Sequence, residues 1–578
     1  MSKSRDCQAA SSYDWIVVGS GNGACAFLSQ YLDKRTDPAD RILVIEEGED
    51  FFETSEITHQ RNWTRSYSEG SIFKLHNAQT PEGIPILSGY ASTMGGGGSI
   101  NYTMIFESPK WLADHFGHGE RYWNRCIDEL SAKFQRKSPV HELTPVGNHL
   151  LDSLESCGFQ LNRQRSENIP IYKESRDKQI HVFPNQFNEF GQRTHSGVSL
   201  VKWHNNPRLQ VMTKCRVTRL DLETLNDREQ RCCRIIYQDL KAKEERSISL
   251  DRHTRVLLCA GAATPQLLYP HREALRNFEI GEHVNDHIVL PFGIYLLSEH
   301  LQPTLKDQYI SLFATEELPH SEDPDAEKTV CNYDFFSGSL DDLLYLISHL
   351  FLAFWVPNGI KLAMIQQPRV FQALKWLSRR LVQFLNSLDD VLYSLKHPSR
   401  IGKHEWSLIS AIVKFNISLP GYYQRLNDRD PTDQPLSSFY EIILRCFQEN
   451  SDRENVDRAI AKSAISKQIE LMSKLGKEPH PVFRYLIRLL TRMPYRKEQV
   501  DQYLDHYQWY DLLTEQHLSG GCVFGKAIDL GLEASSSTGK VFGSQNLYVG
   551  DLSASPLPRV SPQMTAYLIG HHLANQLY

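Results

Sequence analysis

A short glycine-rich segment near the start of the chain has the residue types that bind a pyrophosphate. It reads Gly19-Ser20-Gly21-Asn22-Gly23-Ala24 and has the form G-x-G-x-x-A. In such a segment Gly19 permits a tight turn, Gly21 lets the backbone approach the phosphates, and Ala24 allows close helix packing. Glu46, 22 residues after Ala24, could accept hydrogen bonds from both hydroxyls of an adenosine ribose. These residues predict a dinucleotide site and leave FAD and NAD both open.

The segments around this loop have the patterns of the elements that must position it. The apolar run Trp15–Val18 predicts a strand directly before the loop, and Ile42–Ile45 predicts a second strand directly before Glu46. Between them, apolar residues recur at helical spacing; they are Ala24, Phe27, Leu28, Tyr31 and Leu32. Strand, glycine-rich turn, helix and second strand together predict one βαβ unit with phosphates at the helix N-terminus.

Further stretches of the chain resemble a known family. The segment Thr93–Asn101, with Gly95, Gly96, Gly97 and Gly98 inside it, is similar to the GGSSxxN stretch of the glucose-methanol-choline (GMC) oxidoreductases. Other matches follow in the family's order; they are Gly191–Arg193 with the strand-like Leu209–Leu220, Val256–Leu268, Gly281–His287, His517–Gly521 and Asn546–Pro556. The resemblance is strongest in the parts that would bind a flavin and poorer between residues 300 and 510.

This resemblance implies FAD as the cofactor and a fold of the α/β class. The expected architecture is a Rossmann-like FAD-binding domain of the GMC type with a discontinuous α+β substrate domain. Residues 11–115, 195–298 and 512–578 would form the FAD-binding domain. Residues 116–194 and 299–511 would form the substrate domain, with a helical insertion near 341–397.

The resemblance also implies individual cofactor contacts. Gly95–Gly98 and Asn101 would run along the flavin and bind its pyrophosphate, and a backbone group near Val217 would meet the adenine. Asp551 and Leu552 would complete the cofactor-binding set. Because glycines replace the two serines of the family's stretch, backbone N–H groups would bind the phosphate. The stretch also has no histidine of the kind that tethers the flavin in some relatives, so we expect non-covalent FAD.

His517 occupies the position of the family's catalytic base. A hydride leaves an alcohol carbon more easily when the hydroxyl proton passes to a base, and histidine can accept that proton near neutral pH. The resemblance therefore implies oxidation of a CH–OH group to a carbonyl, with hydride transfer to flavin N5 and His517 as general base. The alternative interpretation of His517 is a structural histidine bonded to the backbone of a C-terminal loop.

The chain departs from the family at the second catalytic position. The family usually has a histidine or asparagine there, whereas this chain has Ser561 and Gln563 within Val560–Thr565. Either side chain could form a hydrogen bond with the substrate oxygen, but neither is a comparable base. The alternative is that neither takes this role and the second catalytic group is lost. His571 and His572 follow inside a predicted helix, and we interpret them as surface or packing residues.

Two segments in the middle of the chain allow two interpretations. Leu343–Val356 is apolar but too short to span a bilayer, while Val370–Leu395 has the spacing of one long amphipathic helix. The early polar face of that helix carries Arg369, Lys375, Arg379 and Arg380. This lobe could contact a membrane surface or shape an entrance for a lipophilic alcohol; we favour the alternative, packing against the substrate domain. Tyr440–Phe447 and Val456–Leu475 also show helical patterns.

Composition and charge argue against several other classes of protein. A net charge of -6 and a pI near 6.5 provide no overall field for nucleic acid. The 11 cysteines contain no CxxC pair, which favours a reducing compartment, and we predict no metal site. The polar N-terminal segment lacks the apolar stretch of a secretory signal, so we expect a cytoplasmic protein, with peripheral membrane contact as the alternative.

Three functions are compatible with these patterns. The first is oxidation of a small-molecule alcohol, and the second is a non-redox lyase of the same family that keeps FAD as a structural element. The third is a membrane-associated binding or assembly protein with a vestigial flavin domain. The patterns do not identify the alcohol, the electron acceptor or the oligomeric state.

Overall fold

The computed structural model describes the segments of the chain that build the predicted site. The described residues are 13–35, 37, 39–50, 72–101, 105, 107–133, 143–161, 177–182, 193, 206–226, 228–297, 301, 312–320, 327–338, 352, 356–396, 408–426, 439–448, 455–478, 484–485, 488, 492–529 and 537–578.

A five-stranded parallel sheet surrounds the first glycine-rich segment. In spatial order its strands are β19 (Leu547–Val549), β12 (Arg255–Leu258), β1 (Trp15–Val18), β2 (Ile42–Ile45) and β8 (Leu209–Met212). Every residue of β1 and β2 is buried. Strands buried on both faces appear in sequence as short apolar runs, and for this reason both predictions are confirmed to the residue.

Helix α1 (Asn22–Lys34) follows the glycine-rich segment and packs against α10 (Gln563–Leu577). A Cβ atom on Gly570 would lie only 1.9 Å from the backbone oxygen of Gly23, so a glycine is required where the two helices approach. The sequence interpretation assigns close helix packing to Ala24, which is indeed fully buried. The tight contact itself, however, is made one residue earlier, at Gly23.

A six-stranded sheet forms a second framework. In spatial order its strands are β13 (His287–Leu296), β16 (Leu408–Asn416), β15 (Lys328–Gly338), β14 (Leu312–Pro319), β7 (Lys178–Val182) and β6 (Gln160–Leu161). All neighbouring pairs are antiparallel except β6 with β7. The predicted domain limits place residues 287–296 in the FAD-binding domain, but this segment is an edge strand of the six-stranded sheet. The domain limits as a whole stay a prediction.

The described residues also form three smaller sheets. An antiparallel sheet contains β9 (Cys215–Asn226), β10 (Glu229–Asp239) and β11 (Glu244–Ser249). A mixed sheet contains β4 (Ala78–Gln79), β17 (Tyr422–Arg425) and β18 (Tyr440–Ile443), and a two-stranded ribbon contains β3 (Phe73–Leu75) and β5 (Gly89–Ala91).

Two sequence predictions of strand and helix are corrected by these sheets. The single strand-like segment Leu209–Leu220 is two strands, because Lys214 adopts a left-handed conformation, with φ of 57°, and ends the extended run. The prediction of a helix at Tyr440–Phe447 is wrong, because Tyr440–Ile443 is strand β18. The periodicity of so short an apolar run does not distinguish a strand from a helix. Hydrogen bonding to β4 and β17 makes this segment a strand.

The remaining α-helices of the described residues follow in chain order. They are α2 (Pro109–Phe116), α3 (Glu120–Lys133), α4 (Pro145–Ser156), α5 (Ala263–Leu268), α6 (Asn358–Gln366), α7 (Pro368–Lys396), α8 (Val456–Leu475) and α9 (Val500–Tyr510). The predictions of one long helix over Val370–Leu395 and of a helix at Val456–Leu475 are confirmed. Most of the apolar run Leu343–Val356 lies outside the described residues. Among the residues that are described, no helix has the length and apolar character needed to cross a bilayer.

Two hydrophobic cores correspond to the two large sheets. One core contains the buried side chains of β1, β2 and β12, and the other contains those of β13, β15 and β16. The segment Glu515–Leu518 joins the vicinity of the six-stranded sheet to the cavity beside the first glycine-rich segment. This arrangement brings polar residues from both frameworks to one place.

Candidate active site

One cavity collects most of the predicted site residues. The predicted residues that line it are Gly19, Ser20, Gly21, Asn22, Gly23, Glu46, Gly96, Gly97, Asn101, Val217, His517, Asp551, Leu552, Ser561 and Gln563. Ala24, Gly95 and Gly98 are buried behind this lining. The fold therefore brings together residues from both ends and the middle of the chain, while their individual roles stay predictions.

The two glycine-rich segments form a cradle across one part of the cavity. Gly19 has a φ of 90°, and a Cβ atom there would lie 2.4 Å from the backbone oxygen of Cys259, so only glycine fits. At Gly21 the nearest atom to a Cβ would be 3.9 Å away, and at Gly97 nothing lies within 4 Å. A Cβ on Gly96 would come within 3.1 Å of the Gly21 Cα atom. Open space in front of closely spaced backbone is the geometry that a pyrophosphate requires.

Ser20 connects both glycine-rich segments to Glu46. The Ser20 hydroxyl donates to Glu46 Oε2 at 2.6 Å and accepts from the backbone N–H of Gly95 at 3.0 Å. Glu46 also accepts from the backbone N–H groups of Ser20 at 3.0 Å and Gly48 at 2.7 Å. Burial raises the pKa of Glu46, although these hydrogen bonds oppose the shift. Because Glu46 Oε1 accepts only one of these bonds, it retains capacity for a ribose hydroxyl.

Glu47 and Arg216 form an ion pair in the cavity wall that sequence reasoning missed. Arg216 donates to Glu47 Oε1 from Nε at 3.0 Å and from Nη2 at 2.8 Å, and Lys74 also bonds the same oxygen. Burial raises the pKa of Glu47, but Lys74 and Arg216 outweigh it and the pKa is lowered overall. The cavity thus has a fixed guanidinium beside the predicted adenine contact at Val217. The sequence signal that could have indicated this ion pair was Glu47, the second of two acidic residues directly after β2.

The carboxylate of Asp551 is saturated by hydrogen bonds within the protein. Oδ2 accepts from the Gly261 N–H at 2.7 Å and the Thr264 hydroxyl at 2.6 Å. Oδ1 accepts from the backbone N–H of Ser553 at 2.8 Å and from its hydroxyl at 2.5 Å. We therefore interpret Asp551 as a residue that holds the backbone of the cavity wall, including the adjacent Leu552, more than as a direct ligand.

Asn101 is held by an arginine from a distant part of the chain. Arg193 Nη1 donates to the backbone oxygen of Asn101 at 2.8 Å and to its side-chain oxygen at 2.9 Å. Arg193 belongs to the matched stretch Gly191–Arg193, of which the other two residues lie outside the described part of the chain. Its contact explains how that stretch contributes to the cavity.

The His517 side chain is held by another histidine. Its Nδ1 lies 3.0 Å from Nδ1 of His287, and its backbone N–H donates to Asp286 Oδ1 at 2.9 Å. Asp286 also accepts from the backbone N–H of His287 at 2.7 Å. Burial lowers the pKa of His517 well below its ordinary value, and His287 and Lys414 lower it further. A neutral His517 in the cavity wall has a ring nitrogen that can accept a proton.

A buried charge cluster lies next to His517. Lys414 Nζ is 2.5 Å from Asp334 Oδ2 and 3.3 Å from Glu515 Oε1, and all three side chains are almost fully buried. Burial raises the pKa of Glu515 to about 7, although Lys414 opposes the shift. The three residues come from β15, β16 and the loop before His517. No local pattern could predict their meeting.

The two candidates for the second catalytic group differ in their surroundings. Ser561 and Gln563 are both buried and both line the cavity. Gln563 Nε2 donates to the Tyr567 hydroxyl at 3.3 Å one turn along α10. The segment before Ser561 is attached to the six-stranded sheet, since Asn416 donates to the Leu557 carbonyl at 3.2 Å. Ser561 is therefore carried by an anchored segment, and Gln563 has a bond within its own helix.

His571 and His572 lie inside α10 and away from the cavity lining. His571 Nε2 is 2.8 Å from Glu129 Oε2, and His572 Nδ1 is 2.6 Å from the Tyr122 hydroxyl. Both rings are buried, so of the two expected roles, surface or packing, their position fits packing and not the surface. A different histidine, His76, lines the cavity without having been predicted. It stacks on Tyr90 with 4.9 Å between ring centres.

The fold and this cavity define a flavoprotein oxidoreductase of the α/β class. The N-terminal GMC oxidoreductase family model matches residues 13–289, and the C-terminal one matches residues 423–570. The chain therefore belongs to the GMC oxidoreductase family, and its cofactor is FAD. The glycine cradle and the Glu46 carboxylate fit the pyrophosphate and the ribose of that cofactor.

Individual relatives span nearly the whole chain at low identity. Protein HOTHEAD of Arabidopsis thaliana is 22% identical over 593 residues, covering 97% of this chain and 87% of that protein. The crystal structure of pyridoxine 4-oxidase from Mesorbium loti has a TM-score of 0.62 and 16% identity, covering 98% and 99% of the two chains. A variant of formate oxidase from Aspergillus oryzae has a TM-score of 0.60 and 17% identity, covering 99% and 98%. At these identities the structural likenesses demonstrate a shared fold.

Proposed function

We propose that the protein oxidises the CH–OH group of an alcohol to a carbonyl, with His517 as the general base. The observation that carries this proposal is the placement of His517 in the same cavity as the glycine cradle, with its Nδ1 occupied by His287. Nε2 is then the ring nitrogen left for the substrate hydroxyl. FAD, when bound, supplies the hydride acceptor at N5.

The protein's own part in this reaction is to receive and hold a proton. Because His517 is neutral and buried, it can take the hydroxyl proton without first losing one to solvent. The substrate oxygen then gains electron density, which favours departure of the hydride from the adjacent carbon. Repulsion from Lys414 makes the protonated ring less stable, so the proton is released readily after product leaves.

Ser561 is our candidate for the second group that contacts the substrate oxygen. It lines the cavity on the anchored segment before α10, whereas the amide of Gln563 is bonded to Tyr567. A serine hydroxyl can donate one hydrogen bond and accept others, which suits orientation of an alcohol oxygen. Unlike a histidine, a serine hydroxyl does not act as a second base near neutral pH.

The decisive experiment is the visible spectrum of the purified protein without oxygen, before and after addition of alcohols. The panel should contain aliphatic, aromatic, sterol and sugar alcohols, together with pyridoxine and formate, because two proteins of this fold carry those substrates in their names. Bleaching of the oxidised-flavin spectrum by one alcohol class, lost in His517→Ala, would support the proposal. A flavin spectrum that nothing bleaches would overturn it in favour of the lyase or a non-catalytic role.

A further inference from the structure

Helix α7 packs onto the protein with one face and leaves a second apolar face in water. Phe371 and Lys375 are buried on the packed face. Trp376, Leu377 and Phe384 lie on the other face within about 100° of arc, and their exposed fractions are 55%, 53% and 62%. Large apolar side chains grouped on one exposed helix face indicate an interaction surface.

The charge on this part of the chain has one sign. No Asp or Glu occurs from Val356 to Leu388. Arg369 and Arg380 are exposed on α7, and no salt bridge to either is found within the described part of the chain. The Arg380 guanidinium lies 5.5 Å from the centre of the Trp376 ring. A partner that fits this face must offer apolar contact and negative charge together.

Exposed apolar side chains also occur on neighbouring elements that are firmly attached. Ile360 and Leu362 of α6 are 42% and 40% exposed, and Trp509 at the end of α9 is 48% exposed. The α6 helix is fixed there because the buried Lys361 ammonium lies 3.8 Å from the Asp511 carboxylate. We define the docking face as the exposed side chains of α6, those of α7 from Arg369 to Phe384, and Trp509.

We propose that the docking face binds the surface of a lipid bilayer rich in anionic headgroups. A helix with Trp, Leu and Phe on its exposed face and arginines beside them can lie in the interface, with the apolar groups in the acyl boundary and the guanidiniums at the headgroups. A second copy of the chain fits less well, since two copies of α7 would bring like charges together. The bilayer supplies both required properties in one surface.

The docking face is separate from the cavity but close to it in the fold. Phe371 of α7 packs against Phe73 of β3, with 6.3 Å between ring centres. Strand β5 pairs with β3, and its residues Gly89, Tyr90 and Ala91 line the cavity. One two-stranded ribbon therefore lies between the docking helix and the cavity. Changes to the exposed face should leave the spectrum of bound FAD unchanged.

The test is co-sedimentation of the full-length, FAD-loaded protein with vesicles. Vesicles of phosphatidylcholine alone are compared with vesicles of phosphatidylcholine and phosphatidylserine, at low and high salt. We expect binding to the phosphatidylserine vesicles that weakens with salt, because headgroup attraction is screened. The combined variant Trp376→Ser, Leu377→Ser, Phe384→Ser and the variant Arg369→Glu, Arg380→Glu should each reduce binding about tenfold or more.

The controls are equally exposed side chains elsewhere on the protein. Phe278→Ser combined with Leu225→Ser and Phe542→Ser removes apolar groups that are 62%, 43% and 43% exposed, and Arg252→Glu reverses an exposed charge. These variants should sediment like the unaltered protein. Absence of binding to phosphatidylserine vesicles, or equal binding by the α7 variants, would overturn the proposal. A dimer in solution that the α7 variants dissociate would instead identify a second copy as the partner.

Discussion

His287 and His517 approach each other through the same ring atom, with 3.0 Å between their Nδ1 nitrogens. Two neutral imidazoles can share this contact only if one Nδ1 carries the hydrogen and the other a lone pair. Burial and Lys414 lower the pKa of His287 to about 3, so its ring is neutral. The Pro558 carbonyl and the Asn416 side chain act the other way and favour a proton on His287. The proposed role of His517 as a base requires Nδ1 of His287 to be the acceptor, so that His517 carries its hydrogen on Nδ1 and has an unprotonated Nε2.

The first prediction concerns His287 as a positioning residue. His287→Leu removes the acceptor and should slow flavin reduction by about ten- to a hundredfold, because His517 would be misplaced or in the wrong tautomer. His287→Asn should recover most of the rate, since its side-chain oxygen can accept from His517 at a similar position. Stopped-flow reduction at saturating alcohol measures the rate separately from substrate affinity. Equal losses in both variants would assign His287 to packing alone.

The second prediction concerns His517 itself. His517→Ala should retain FAD yet reduce flavin about a hundredfold more slowly or worse, the usual scale for loss of a general base. Since burial, His287 and Lys414 lower the pKa of His517 well below 6.5, the base is protonated only in acid, and the rate should fall only at a pH well below 6.5. This acid limb should be absent from the residual rate of the variant. An unchanged rate would reassign the base.

The third prediction concerns the glycine cradle. Gly21→Leu would fill the open space in front of the first glycine-rich segment, so the purified protein should lose its flavin absorbance. Gly119→Leu is the matched control, because a Cβ atom at Gly119 has nothing within 4 Å and so meets as little crowding as one at Gly21. Full flavin occupancy in Gly21→Leu would contradict the proposed pyrophosphate site. The flavin of the unaltered protein should be released completely by acid precipitation if FAD is held non-covalently.

The fourth prediction separates Ser561 from Gln563. Ser561→Ala should lower the rate of flavin reduction about tenfold, the order expected for one lost hydrogen bond to the reacting oxygen. Gln563→Leu should have a smaller effect, because its amide is bonded to Tyr567. Ser561→Asn would place one of the family's two usual side chains at this position. It should restore the rate of flavin reduction that is lost in Ser561→Ala. The reverse order of effects would make Gln563 the second group.

The fifth prediction concerns the buried carboxyl of Glu107. Burial raises its pKa from 4.5 to about 7, against hydrogen bonds from Thr565 and the Ser108 N–H. Because the folded protein holds this proton more tightly than the unfolded chain, the stabilisation is present below pH 4.5 and is lost as the pH rises through about 7. Glu107→Gln cannot ionise, so its advantage over the unaltered protein should grow between about pH 5 and pH 8.

The size of that change follows from the pKa difference. It corresponds to at most about 3 kcal/mol in the free energy of unfolding, measured by urea denaturation of the FAD-loaded protein at both pH values. Glu244→Gln removes an exposed carboxyl, with a side chain 66% exposed, and should show no such growth. An advantage of Glu107→Gln that is equal at both pH values would contradict the raised pKa.

The elements that could be predicted are those whose structure is determined by residues close together in the sequence. Strands β1 and β2 are buried apolar runs, and the long helix α7 repeats its apolar residues every three or four positions. The strand at Tyr440–Ile443 was missed, because a run of this length has no period that separates strand from helix. The break at Lys214 was also missed, since a left-handed lysine has no sequence signal comparable to glycine.

By itself the sequence determined the dinucleotide loop, the strand and helix that hold it and, through resemblance, the family and its candidate base. These features depend on neighbouring residues or on motifs that are continuous in the chain. Only the tertiary structure decided that His287 meets His517, that Lys414 joins Asp334 and Glu515, and which face of α7 stays in water. Such contacts join residues far apart in sequence, and the packing of two sheets around separate cores determines them.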